Sequence, residues 1–303
     1  MYKKVVFFNY YHNGDIHLSR GLLRQVMQKV HQINPDVQFY YSHRNTPDLL
    51  ADINITFDPF GLSIIRNDHA GIVGVGDTVY INTWYGQQQF RYMNAYGISF
   101  DTLYLAFNEA CKQIWGFSLE EISQDPGVFF PWIDYSKYQI NNVNAWLSSN
   151  SSKKIFISNG DTLSGQAHNF DLTSLALDVA RNHTDKTFIL SNKTGATVPS
   201  NVLWSSDIIG RGGCDLNENG FITEHCDVII GRSSGTFTFA QTQNNYLKRQ
   251  CKILNFSNLV PKKPGYYWLD TLLQDKMTYT ANIITTYDSD MNNIRGLIET
   301  HTQ

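Results

Sequence analysis

Near the C-terminal end of the chain, the stretch CDVIIGRSSGTFTFAQ (226–241) halts an apolar run at Gly231. Arg232, Ser233, Ser234, Gly235 and Thr236 follow it directly. The pattern reads as a strand, a polar turn and the start of a helix. A helix start presents unpaired N–H groups and a partial positive charge. Ser233, Ser234 and Thr236 add hydroxyls, Gly235 lets a ligand approach the backbone, and Arg232 adds a fork that matches phosphate oxygens. Together these residues predict an anion seat suited to a diphosphate. A plainer reading stays open, in which Ser234 or Thr236 caps the helix and Arg232 is a surface charge.

A second polar turn, HNGDIHLSR (12–20), ends the first apolar run of the chain and opens another helical pattern. Asp15 in this turn is either an N-cap or a carboxylate offered as general base. His12, Asn13, Gly14 and His17 surround it, and either histidine is a candidate for hydrogen-bonding a substrate or for sitting half exposed.

The elements that position both turns follow from periodicity. KKVVFFNYY is a buried-type strand. Leu22, Leu23, Val26, Met27, Val30 and Ile33 then recur at helical spacing, Pro35 stops them, and residues 36–43 read as the next strand. Strand, turn, helix and strand imply a parallel sheet. GIVGVGDTVYINTWYG (71–86) reads as a hairpin loop feeding a strand, because its glycine order is not the dinucleotide fingerprint. ISFDTLYLAFNEACKQIW resumes helical spacing. The Pro- and aromatic-rich stretch 125–140 and the Ser/Asn run 146–154 mark a change of composition, which places a boundary between domains 1–145 and 146–303. A second series follows: KKIFISNGD as a strand, DLTSLALDVARNH as a helix capped by Asp171, KTFILSN and NVLWSSD as strands. DLNENGFITEHC and TFTFAQTQNNYL read as helices, DVIIG and RQCKILNF as strands. The tail from Trp268 is irregular, with short helical signals in YYWLDTLLQ and SDMNNIRGLIE, and is a segment that can pack back on the first domain. The fold class expected is α/β, two facing Rossmann-like domains with a cleft between the carboxyl ends of their strands.

Composition excludes several function classes. At 303 residues the chain is long enough for two cores, and 17% charged against 42% hydrophobic residues is no disordered chain. A net charge of −3 with dispersed basic residues argues against nucleic acid as a partner. Four cysteines show neither pairing nor zinc spacing, so buried free thiols and no metal are expected. No apolar run approaches the roughly 20 residues of a membrane span. A cytoplasmic protein with no transmembrane segment is expected, and peripheral membrane association stays open.

The two turns and the two α/β halves resemble the GT-B fold of nucleotide-sugar glycosyltransferases. YHNGDIHLSRGL is similar to the N-terminal Gly-Asp turn of heptosyltransferase-like members, and CDVIIGRSSGTFTFA to their C-terminal strand–Ser-Gly–helix element. The helix after the seat lacks the histidine usual there, and no E-x7-E pair of retaining members follows it. The resemblance implies an inverting, metal-independent transfer with no cofactor beyond the nucleotide-sugar co-substrate. Asp15 would deprotonate a hydroxyl of a glycan or other acceptor, and Arg232 with Ser233, Ser234, Gly235 and Thr236 would hold the departing nucleoside diphosphate. Ser158, Asn159 and Gly160, at the end of the second domain's first strand, become further donor contacts. Glu218 or Asn217 would reach base or ribose, with helix capping by Asp215 equally open. His12, Asn13, Gly14, His17 and Trp84 fall on the acceptor side, Trp84 and Tyr85 as stacking surfaces unless they pack in the core. Two alternatives remain: a sugar-nucleotide epimerase or hydrolase using Asp161, His168 and His225, and a non-catalytic nucleotide-sugar-binding protein.

Overall fold

The computed structural model describes residues 2–11, 13–65, 69–84, 99–163, 165, 167–211, 215–257 and 276–303. The chain divides into two compact units, Met1–Ile133 with Lys263–Thr278, and Asp134–Lys262 with Tyr279–Gln303.

Unit one runs β1 (Lys4–Asn9), α1 (Asn13–Leu18), α2 (Arg20–Ile33), β2 (Gln38–His43), β3 (Thr56–Phe57), α3 (Gly61–Ile64), β4 (Ile72–Val75), β5 (Thr78–Asn82) and α4 (Ser99–Trp115). Its sheet has the order β3-β2-β1-β5-β4. All pairs are parallel except β4 with β5, which form the antiparallel hairpin expected of the glycine-rich stretch. β1 is central because both of its faces are apolar. Val6 and Phe8 pack with Ile65 and Tyr80, while Phe7 stacks on Phe39 and on Phe107 of α4. α2 presents the buried stripe Leu22, Leu23, Val26, Met27 and Val30 that its spacing predicts. Its first turn is fixed by charge as well: Asp52 receives both Arg20 and Arg24, and Arg24 lies 3.5 Å over the Trp132 ring.

Unit two runs α5 (Asn141–Ser149), β6 (Lys153–Ser158), α6 (Leu172–Asn182), β7 (Lys186–Leu190), β8 (Val202–Trp204), α7 (Ser205–Ile209), α8 (Leu216–Thr223), β9 (Val228–Arg232), α9 (Gly235–Thr238), β10 (Lys252–Phe256), β11 (Asn282–Thr286) and α10 (Met291–Thr302). Its strands are all parallel in the order β11-β10-β9-β6-β7-β8. Numbered from β6, that is the doubly wound 3-2-1-4-5-6 order, which reverses between β6 and β9. One face of the sheet buries Ile155, Ile157, Val228, Ile230, Leu254 and Phe256 under α6 and α10. Asp171 caps α6 by accepting from the Ser174 N–H at 2.9 Å.

Two sequence expectations need correction. TFTFAQTQNNYL is helical only over α9 and then over a single π-turn at Asn244–Lys248. Phe237 within α9 and Phe239 at its C-cap are both buried. The tail contains the strand β11 as well as α10. β11 is a partly exposed edge strand, so it lacks the apolar run that marks a central one. The Ser/Asn run 146–154, where the boundary between domains was expected, takes in the end of α5 and the first residues of β6. YYWLDTLLQ lies outside the described residues. Cys111, Cys226 and Cys251 are buried free thiols, with Cys214 outside the described residues. Among the described residues no helix is long and apolar enough to cross a membrane.

α2 approaches the turn at residues 126–129 so closely that a Cβ on Gly21 would stand 2.1 Å from the Phe129 carbonyl oxygen and 2.6 Å from that of Phe130. Both obstacles are backbone, which cannot rotate away. Gly21→Ala is expected to lower unfolding free energy by about 1–3 kcal/mol in urea titration; unchanged stability would mean that the two elements do not pack this tightly.

Candidate functional site

In open parallel sheets ligands bind beyond the carboxyl ends of the strands where strand order reverses. In unit two this point lies between β6 and β9, where Ser158 is in register with Gly231. The structure thus brings together Ser158, Asn159 and Gly160 at the end of β6 with Arg232, Ser233, Ser234, Gly235 and Thr236 at the end of β9.

Their roles differ from one another. Ser234 caps α9, its Oγ accepting from the Phe237 N–H at 3.2 Å. With the cap in place, the Gly235 and Thr236 N–H groups make no hydrogen bond within the described residues. Gly235 is exposed and Thr236 half-buried, and the first N–H groups of a helix have no intrahelical acceptor. Gly231 has to be glycine here, because a Cβ would meet the Phe237 ring at 2.3 Å. Ser233 is buried and its Oγ donates to Asn255 Oδ1 at 3.2 Å. Asn255 Nδ2 and Ser158 Oγ are buried at the same strand ends with no hydrogen bond among the described residues. The neighbouring strand's Asn255 is a residue the sequence reading missed; an asparagine inside the apolar KILNF was the available signal.

Arg232 is a correction. Its side chain is buried, not on the surface, and its fork does not point outward to phosphate. Nη1 donates to the carbonyls of Asn159 (3.1 Å) and Gly160 (2.7 Å), and Nη2 donates to the Phe170 carbonyl. Asp161 lies 3.6 Å from Nη1 and the Phe170 ring 4.7 Å from the guanidinium carbon. A planar cation with several donors suits a knot of backbone carbonyls as well as it suits phosphate. Asn159 is likewise engaged: Nδ2 donates to Thr173 Oγ1 and the Asn192 carbonyl, both at 2.9 Å, and Oδ1 accepts from the Asn192 N–H at 2.7 Å. These two residues shape the loop rather than presenting donors from their side chains.

Glu218 shares no hydrogen bond with this edge. Buried on α8, it accepts from Arg211 Nη2 at 2.6 Å and from the Gln139 N–H at 3.4 Å. Burial raises its pKa, opposed by its own backbone N–H and by Arg211. Asp215 has no side-chain cap on α8; it stands 3.3 Å from Arg211 Nε, with its pKa also raised by burial. Arg211 is a second residue that sequence reasoning missed.

In unit one the remaining candidates cluster around α1 and the end of β5. Asp15 lies in the first turn of α1, two residues past its start, and is only 3% exposed. Desolvation holds its carboxyl well above the usual range, opposed by its own backbone N–H. Beside it, the Tyr41 hydroxyl bonds Thr83 Oγ1; burial raises the Tyr41 pKa, with a smaller push from the charge of Asp15. Gly14 is buried and Asn13 half-buried, with Asn13 Oδ1 making no hydrogen bond. His17 is corrected: it is fully buried, not half exposed, because α1 is buried on every side from Gly14 to Leu18. His12 and Tyr85 lie outside the described residues. Trp84 is half-buried, with its ring 4.5 Å from that of Tyr11. Among the described residues no group of three or more His, Cys, Asp and Glu is placed to hold a metal.

The sequence matches no family model and no curated protein. Some solved structures are similar. The ADP-heptose LPS heptosyltransferase II of E. coli is similar at a TM-score of 0.52 and 13% identity, covering 99% of this chain and 98% of that one. The E. coli heptosyltransferase WaaC with ADP gives 0.49 at 9% identity over 98% and 97%. The dodecameric iron-containing heptosyltransferase TibC with ADP-D-beta-D-heptose gives 0.45 at 10% identity, covering 85% of this chain; this chain spans 59% of that protein's length. The likeness to heptosyltransferase II is one of fold, the α/β architecture with two sheets of the GT-B type.

Arg232→Ala leaves three carbonyls without their donors and is expected to cost about 3 kcal/mol of stability in urea titration. Arg232→Lys, which keeps charge but loses the fork, is expected to recover less than half. Full stability in both variants, with nucleotide affinity lost, would return Arg232 to a phosphate-binding role.

Proposed function

We propose that the chain is a glycosyltransferase that moves a sugar from a nucleoside-diphosphate donor to a hydroxyl of a glycan or other acceptor, inverting and without a metal. The observation that carries the reading is the pair of N–H donors at Gly235 and Thr236, set at the strand-order reversal of unit two in a chain of GT-B-type fold. A departing diphosphate gathers negative charge as the bond to the anomeric carbon breaks. Fixed N–H groups aimed at that charge commonly contribute about 3–4 kcal/mol each to the transition state. Ser158 and Ser233 line the same strand ends, and Glu218 is the candidate for a ribose hydroxyl. E. coli WaaC is described with ADP and TibC with ADP-D-beta-D-heptose. The present chain's base and sugar are not assigned by that likeness.

The base in this reading is Asp15. The acceptor hydroxyl gives its proton to the carboxylate as its oxygen bonds to the anomeric carbon, and the C1–O bond electrons leave with the diphosphate. The desolvation that raises the Asp15 pKa also makes it a stronger base once ionised.

Thermal denaturation with UDP, GDP, ADP and their sugars, without added magnesium, is expected to show stabilisation by at least one nucleotide; no shift with any of them would remove the donor-binding premise. Asp15→Asn is expected to lower kcat about 10²–10⁴-fold with nucleotide binding intact. The wild-type rate should rise with pH through a pKa well above the ordinary carboxylate range, since the base acts only when ionised. An acid limb at an ordinary carboxylate pKa, or undiminished turnover in Asp15→Asn, would exclude Asp15 as base. Conversion of the donor with no acceptor present would favour epimerase or hydrolase chemistry.

A further inference from the structure

The two central strands of unit one, β1 and β5, end in the same way. β1 ends in Asn9-Tyr10-Tyr11 and β5 in Asn82-Thr83-Trp84, and the pairing places Phe8 opposite Asn82. In each, a buried asparagine turns its side-chain oxygen onto the backbone N–H of the aromatic residue two positions on. Asn9 Oδ1 accepts from Tyr11 at 2.7 Å, and Asn82 Oδ1 accepts from Trp84 at 2.8 Å. This local bond lifts the chain out of the sheet ladder and fixes where each ring starts. Further bonds make the mount rigid. Asn82 donates from Nδ2 to the Ala70 carbonyl at 3.0 Å and from its N–H to Gly71 at 2.9 Å. The Tyr10 hydroxyl donates to the Leu62 carbonyl at 2.6 Å and also reaches that of Ile65.

The result is a pair of rings at the carboxyl edge of the sheet, where the strand order of unit one reverses between β1 and β5. The Tyr11 and Trp84 centroids are 4.5 Å apart at 44°, and the His69 ring lies 5.4 Å from Trp84. Tyr11 keeps 42% of its surface exposed. A large aromatic side chain held exposed on a rigid mount loses little entropy when it binds a ligand. The rings are neutral, which does not select for an anion. They are tilted rather than parallel, which leaves no flat slot for a planar base. A puckered pyranose, apolar on its C–H face and polar at its rim, suits both properties.

We propose that Tyr11 and Trp84 form a saccharide-stacking platform, so that the acceptor presented to unit one is a carbohydrate rather than a lipid or protein hydroxyl. This deepens the transferase reading and rests on it for the word acceptor, while the binding itself is independent of the nucleotide. The test is saturation-transfer NMR on the full chain with a panel of methyl pyranosides and disaccharides, alongside thermal shift with nucleoside diphosphates. At least one pyranoside is expected to receive saturation on its C–H face. That binding should weaken about tenfold or more in Tyr11→Ala and in Trp84→Leu and persist in Tyr11→Phe, with the nucleotide shift unchanged throughout. Equal sugar binding in Tyr11→Ala, no binding of any sugar to the wild type, or stacking of the nucleobase on these rings would overturn the platform. Sugar binding with no nucleotide shift would leave the platform standing and remove the transferase reading, and the reverse result would do the opposite.

Discussion

The ligand edge of unit two depends on one buried cation. Arg232 leaves the end of β9 and donates to carbonyls of residues 159, 160 and 170, which belong to the loop that follows β6. A loop that runs over a sheet edge without regular structure must find partners for its carbonyls, or each buried one costs about 1–3 kcal/mol. The guanidinium supplies those partners from a single side chain, and Asn159 joins the same loop to the segment after β7. Two neighbouring strand ends are thereby held in fixed register. Only with that register fixed do the Gly235 and Thr236 donors have a defined direction.

The same physical constraint explains why charge and donors are separated at this edge. Arg232 faces inward and meets Asp161 at 3.6 Å, so its charge is already partly matched inside the unit. Asp161 is itself exposed, and beyond the serine cap stand the Gly235 and Thr236 amides, which a helix start leaves without an intrahelical acceptor. Amides of this kind are preorganised and need no counter-ion in the free protein. Unit one follows a parallel logic with different parts. Its strand reversal carries paired Asn-x-aromatic ends, while Asp15 is kept out of water and its carboxyl held toward the protonated form.

Much of the sheet framework was legible because buried strands and amphipathic helices leave strong periodic marks. β1, α2, β6, α6 and β9 lie where apolar spacing put them, and the Asp171 cap and the β4–β5 hairpin follow from turn chemistry. The places that sequence alone misread depend on packing that spacing does not show. Arg232 looks like a phosphate fork until its carbonyl partners, which stand 62 to 73 positions away, are known. His17 looks accessible until α1 proves buried on every side from Gly14 to Leu18. The run TFTFAQTQNNYL is helical at α9 and again at a single π-turn, with a break between them that its spacing does not mark. Of the site, the two turns and their order were visible; the division of labour between Arg232 as strut and the amides as donors was not. The Asn-x-aromatic repeat was visible as text in NYY and NTW but acquired meaning only when β1 and β5 proved to be neighbours.

The central claim is that a diphosphate is received by the Gly235 and Thr236 amides at the β6–β9 reversal. Amide NMR of the isotopically labelled chain during titration with the stabilising nucleoside diphosphate tests it most directly. The Gly235 and Thr236 N–H resonances should shift downfield and saturate together, at the concentration where the nucleotide binds, with Ser233 and Ser234 responding less. Saturable nucleotide binding that leaves those two amides unmoved would contradict the account.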